Sequence, residues 1–219
     1  PNGAGKTTTL ECIEGLQEPS SGRISVLGTE VARDPNTVKE RIGVQLQASA
    51  YFDYLTLTEI LELFGRFYSR RVPPAKLLST VGLEDKANTT VGKLSGGQQQ
   101  RFTIAATLVN DPEVVFLDEP TAGLDPQARR NLWDFVQSIN SQGRTIVLTT
   151  HYMEEAEFLC NRVAIMDQGR IVTLDTPTNL VRSLPAPYEV RASTLNEFSS
   201  NDLTDLDSVT EVLDDQNQG

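Results

Sequence analysis

The sequence is short of the features that most quickly separate function classes. It has two cysteines and one histidine in 219 residues. Cys12 and Cys160 lie far apart and outside any metal-ligand spacing, so they read as small core residues in a reducing compartment, and the cytosol is the expected setting. No run approaches the roughly 18 consecutive apolar residues of a membrane-spanning helix, and no cleavable leader is visible. Internal repeats, coiled-coil heptads and low-complexity linkers are lacking too. Positive charge is scarce: 19 Lys and Arg stand against 30 Asp and Glu, for a net charge of −11. Such a chain lacks the basic face that neutralises DNA or RNA phosphates, and no nucleic acid is expected as a partner. The imbalance is concentrated at one end, because residues 185–219 carry eight Asp and Glu against Arg191 alone. That stretch, which "PAPYEV" separates from the preceding helix, is expected to be an incomplete acidic C-terminal extension with one strand at "YEVRAS".

What is present begins at once. "PNGAGKT", Pro1 to Thr7, supplies all of the phosphate-binding loop pattern G-x-x-x-x-G-K-[ST] except its first glycine. With no initiating methionine, the sequence is expected to be an N-terminally incomplete domain. Gly3 and Gly5 let the backbone N–H groups turn inward around phosphates, because no Cβ blocks the turn. Lys6 reaches the β- and γ-phosphates as a point charge, and the Thr7 hydroxyl sits on Mg²⁺. Leu10, Ile13 and Leu16 recur at three-residue steps, so a helix should follow and aim its N-terminus at the nucleotide. Asn2, Gly3, Ala4, Gly5, Lys6, Thr7 and Thr8 are the candidate phosphate-binding residues.

Strand-like runs alternate with helical patterns through the rest of the chain, which points to an α/β fold with a mostly parallel sheet around the P-loop. Strands are expected at "RISVLG", "RIGVQLQ", "EVVFLDEP", "RTIVLTTH", "RVAIMDQG" and "RIVTLD". Helices are expected at "LTEILELFGRFYS", "PPAKLLSTVG", "GGQQQRFTIAATLVND", "PQARRNLWDFVQSINSQG" and "MEEAEFLCN". The stretch at about 52–110 is almost wholly helical and reads as a subdomain inserted into an α/β domain of residues 1–184.

"EVVFLDEP" ends a buried strand in two adjacent carboxylates, at the end of the strand where ligands of such sheets bind. Asp118 is the candidate Mg²⁺ ligand and Glu119 the candidate for polarising an attacking water. "KLSGGQQQR" then decides the class. With Leu94, Ser95, Gly96, Gly97 and Gln98 as LSGGQ, the sequence resembles the ATP-binding cassette family, over about Pro1 to Leu184. Ser95 and its glycines open a helix whose N–H groups form a further anion site.

The resemblance implies an ATP- and Mg²⁺-dependent ATPase that works as a head-to-tail dimer, each subunit's Ser95–Gly97 segment touching the γ-phosphate held by the other. It further implies that Gln47 is the Q-loop glutamine, meeting Mg²⁺ or the attacking water, with Gln45 as the competing choice. Asp125 of "AGLDP" falls at the dimer interface, and His151 is the switch histidine on the γ-phosphate. The 122–172 stretch most resembles a bacterial branch that includes drug- and sodium-export ATPases. An integral membrane permease subunit is then the implied partner, and the cytoplasmic face of the cell membrane the implied, peripheral location. Tyr51, Phe52, Tyr54 and Leu55 either receive that partner or pack the helical subdomain. A cassette ATPase acting in translation or DNA maintenance is the alternative, separable by a membrane pull-down. The transported substrate is not legible.

Overall fold

The computed structural model describes residues 3–45 and 51–184. Helix α1 (Lys6–Ile13) starts from Gly5, whose left-handed backbone (φ 92°) turns the loop into the helix. A two-residue turn, Leu27 (φ 51°) and Gly28 (φ 79°), joins β1 (Ser25–Val26) to β2 (Thr29–Glu30). Two consecutive positive φ angles match the right-handed twist of a hairpin. The expected strand "RISVLG" is thus only two residues long. Helix α2 (Pro35–Arg41) was not anticipated, although Asp34 caps it by accepting from the Thr37 N–H at 3.1 Å and Pro35 opens it.

Three parallel strands form the central sheet in the order β3 (Ile42–Gln45), β4 (Val114–Asp118), β5 (Thr145–Thr149). Alternate residues of β4 enter two different cores. Val114 and Phe116 join Leu10 of α1, Val38 of α2 and Ile42 on one side. Val115 and Leu117 join the helices on the other side.

Those helices are α3 (Leu57–Gly65), α4 (Pro74–Thr80) and α5 (Gly96–Thr107), all between β3 and β4, and α6 (Pro126–Ser141) between β4 and β5. Their apolar faces (Leu57, Ile60 and Leu61; Leu77 and Leu78; Phe102, Ile104 and Ala105; Leu132, Val136 and Ile139) merge with Val115 and Leu117 into one cluster. Gly43 sets how closely α5 approaches the sheet: a Cβ there would lie 2.1 Å from the Thr107 carbonyl oxygen.

After β5 come α7 (Met153–Leu159), β6 (Val163–Asp167), β7 (Arg170–Asp175) and α8 (Pro177–Arg182). β6 and β7 pair antiparallel with each other and, among the described residues, with no other strand, so only part of the expected strand set lies in the parallel sheet. Their turn, Gln168 (φ 45°) and Gly169 (φ 74°), repeats the geometry of the first hairpin. No helix among the described residues is long and apolar enough to cross a membrane.

Candidate nucleotide-binding site

The loop ahead of α1 lies close to the C-terminal end of β4. Gly3 and Gly5 both have positive φ (77° and 92°), and Ala4 between them is buried. The Gly169 N–H donates to the Ala4 carbonyl at 3.0 Å, so the β6–β7 turn backs the loop. A Cβ on Gly5 would stand 3.4 Å from Gly169 Cα. Lys6, Thr7 and Thr8 form the first turn of α1, where unpaired N–H groups and the helix dipole favour an anion. The Thr7 hydroxyl donates to Asp118 Oδ2 at 3.1 Å across 111 residues of chain.

Asp118 is buried at the end of β4, and its other oxygen, Oδ1, accepts from the Thr149 hydroxyl at the end of β5. Thr149 in turn accepts from the Glu119 N–H at 3.1 Å, and its carbonyl accepts from the same N–H at 3.2 Å. Glu119 takes a left-handed backbone (φ 47°), costly for a glutamate, at the point where its side chain leaves the strand. Its Oε1 lies 3.3 Å from His151 Nδ1. His151 rests on the Tyr152 ring, with centroids 4.1 Å apart, and the Arg129 guanidinium sits 3.8 Å over the other partner of that stack, the Tyr152 ring itself. Glu14, at the end of α1, is buried on the same side of the sheet. Burial first, and then the negative charges of Asp118 and Glu11, push its pKa up to about 7.

Ser95 caps α5: its hydroxyl accepts from the Gln98 N–H at 3.4 Å, and Gln98 Oε1 accepts from the Ser95 N–H at 3.0 Å. This reciprocal box leaves Ser95 and Gly96 exposed at the helix start. Asp125 caps α6 from one side only, accepting from the Gln127 and Ala128 N–H groups at 3.0 and 2.9 Å. Gly97 packs against α6, where a Cβ on it would sit 3.5 Å from Ala128 Cβ. A cavity of about 340 Å³ brings Asp118 and Glu119 together with Gly96 and Gln99 of α5. Gln45 lines it too, buried, with its side-chain oxygen unpartnered among the described residues.

The sequence-derived set is therefore gathered in part. Thr7, Asp118, Glu119 and His151 form one connected line, while Asn2 and Gln47 lie outside the described residues. Thr149, Glu14, Tyr152 and Arg129 escaped sequence reading. Thr149 alone carried a signal, as the hydroxyl residue that closes the strand before His151. Among the described residues no group of three or more His, Cys, Asp and Glu could hold a metal ion by itself. The donors that fit a hard cation are one hydroxyl and one carboxylate, Thr7 and Asp118.

A glycine loop leading into a helix, with carboxylates at the neighbouring strand end, defines a P-loop nucleotide-binding α/β domain. The chain belongs to the ABC transporter family, whose sequence profile matches residues 1–122. It is 44% identical over 188 residues to a Nod factor export ATP-binding protein I of Burkholderia lata, covering 84% of this chain and 62% of that protein. The counterpart in Cupriavidus pinatubonensis is 42% identical over 190 residues, covering 84% and 58%. The chain thus spans about three fifths of the length of these relatives. Among solved structures, the ATP-binding subunit of an ABC transporter is 32% identical with a TM-score of 0.71, covering 83% of this chain and 78% of that one. CbiO1 of Clostridium perfringens, part of the CbiONQ ABC transporter complex, is 28% identical with a TM-score of 0.72, covering 84% and 77%. A dimeric ATP-binding cassette in a post-hydrolysis state with ADP and Pi is 29% identical with a TM-score of 0.71, covering 81% and 82%.

Proposed function

We propose that the chain is the ATP-hydrolysing part of a bacterial export transporter, acting on the cytoplasmic face of the membrane with an integral membrane subunit. The single observation that carries the hydrolytic reading is the Glu119 carboxylate, held beyond Asp118 by Thr149 on its backbone and facing His151. The relatives named for Nod factor export support an export role over a translation or DNA-maintenance role.

In this reading, the first turn of α1 and Lys6 bind the phosphates. Thr7 and Asp118, together with Gln47 of the sequence reading, would hold Mg²⁺, which would supply charge neutralisation at the phosphates. Glu119 accepts a hydrogen bond from a water aligned with the γ-phosphorus, and takes its proton as the new P–O bond forms. The bond to the bridging oxygen breaks and ADP leaves. His151 contacts the γ-phosphate, while Tyr152 and Arg129 fix its ring. Ser95, Gly96, Gly97 and Gln98 serve a second subunit's γ-phosphate, with Asp125 at the shared interface, in a head-to-tail dimer.

Replacing Glu119 with Gln keeps the shape but removes the proton acceptor. ATP binding should stay within about threefold of wild type, while turnover falls by roughly 10²-fold or more. Radiolabelled ATP binding and phosphate release measure the two separately, and near-normal hydrolysis would assign the base elsewhere.

A further inference from the structure

A second cavity, of about 420 Å³, lies at the opposite end of the strands. Asp111 precedes β4 and Arg144 precedes β5, whereas Asp118 and Thr149 close the same two strands. Five strand residues, roughly 13–16 Å, separate it from the nucleotide-binding edge. In a chain of net charge −11, this cavity is lined by Arg70, Arg71, Lys76 and Arg144 against a single carboxylate, Asp111.

Asp111 does not balance them. Its Oδ2 pairs with Arg70 at 2.7 Å and its Oδ1 with Arg144 at 2.8 Å. Arg71 and Lys76 make no ion pair among the described residues, which leaves the lining three positive charges in excess. Outside the lining, Glu113 is held by Arg41 at 2.7 Å. Arg144 is fixed from two sides, since its Nη1 donates to Gln142 Oε1 at 2.7 Å, yet its Nε is buried without a partner among the described residues. Holding four cations in one concavity raises self-repulsion, which an anion would relieve. Planar guanidinium forks match phosphate oxygens in pairs, and an ammonium adds a point charge.

We propose that this cavity is an anion-binding site for a phosphate-bearing ligand, separate from the nucleotide site. Its walls come from two parts of the fold: Arg70, Arg71 and Lys76 from the α3–α4 segment, Asp111 and Arg144 from the strand entries. A bound phosphate therefore ties the α3–α4 segment to the central sheet, and its loss loosens that seam.

The full chain carrying Lys6→Ala, which removes the P-loop cation, is titrated with pyrophosphate by calorimetry in magnesium-free buffer. Binding is expected to persist in this background and to weaken roughly tenfold or more when Arg71→Gln and Lys76→Gln are added. Neither added change removes an ion pair of the fold and both relieve repulsion, so the melting temperature without ligand should not fall. Thr80→Glu, which adds a carboxylate to the wall, should give the same loss by a different route. A parallel arm compares sedimentation with phosphatidylglycerol and phosphatidylcholine vesicles. Charge-selective sedimentation lost in the Arg71/Lys76 variant identifies a lipid headgroup as the source, and pyrophosphate binding alone identifies a free phosphate compound. Binding unchanged by these substitutions, or no binding in either arm, overturns the proposal.

Discussion

Glu14 holds a proton close to neutral pH because its carboxyl is buried, with Asp118 and Glu11 adding negative potential. Its folded pKa of about 7 lies above the ordinary value of 4.5, so the native state binds a proton that the unfolded chain has released. Its stabilising contribution is full below about pH 4.5 and is lost as pH rises through 7. Glu14→Gln keeps the neutral shape and cannot ionise. Melting temperatures of the two proteins should agree near pH 4.5 and separate by pH 8, with the variant the more stable; parallel profiles would remove Glu14 as their source. Nothing in the sequence marked this residue, since a glutamate in an amphipathic helix reads as a solvated face. Thr7, Asp118, Glu119 and His151 were legible because fixed spacings and strand ends announce them. Thr149, Tyr152 and Arg129 act through neighbours supplied by the fold, and no local pattern encodes such company.

At the scale of elements, caps and turns explain both what could be read and what was missed. Ser95 with Gln98, and Asp125 with Pro126, were visible as motifs and do open helices. Asp34-Pro35 and Thr176-Pro177 carry the same capping chemistry and went unread, although they open helices of seven and six residues. The antiparallel course of β6 and β7 follows from the Gln168–Gly169 turn, which is too short for a crossover. The contact between α5 and β3 depends on Gly43, where a side chain would overlap the Thr107 carbonyl. Gly43→Ala should force α5 away from the sheet and destabilise the fold by about 2 kcal/mol or more, measured by denaturant unfolding. A change under about 0.5 kcal/mol would mean that the two elements part easily.

For the whole molecule, the exposed Ser95 and Gly96 at the start of α5 bear on assembly. In the head-to-tail reading, Ser95→Arg spoils a partner's γ-phosphate site while its own P-loop stays competent. Mixed with Lys6→Ala chains, it places both lesions on one composite site and leaves the other intact. The mixture should regain ATPase activity that neither pure variant shows, measured as phosphate release across mixing ratios. Activity no higher than either parent would remove the main support for two shared sites, unless the sites fire only together.

The hydrogen bond from Gly169 to Ala4 joins points 165 residues apart. During synthesis, at about 5–20 residues per second, the phosphate loop emerges many seconds before the turn that backs it. A ribosome-bound chain halted before that turn would carry the loop's residues without their support. Nucleotide capture would thus mature late, and would serve as a readout that the chain has folded as far as the β6–β7 turn.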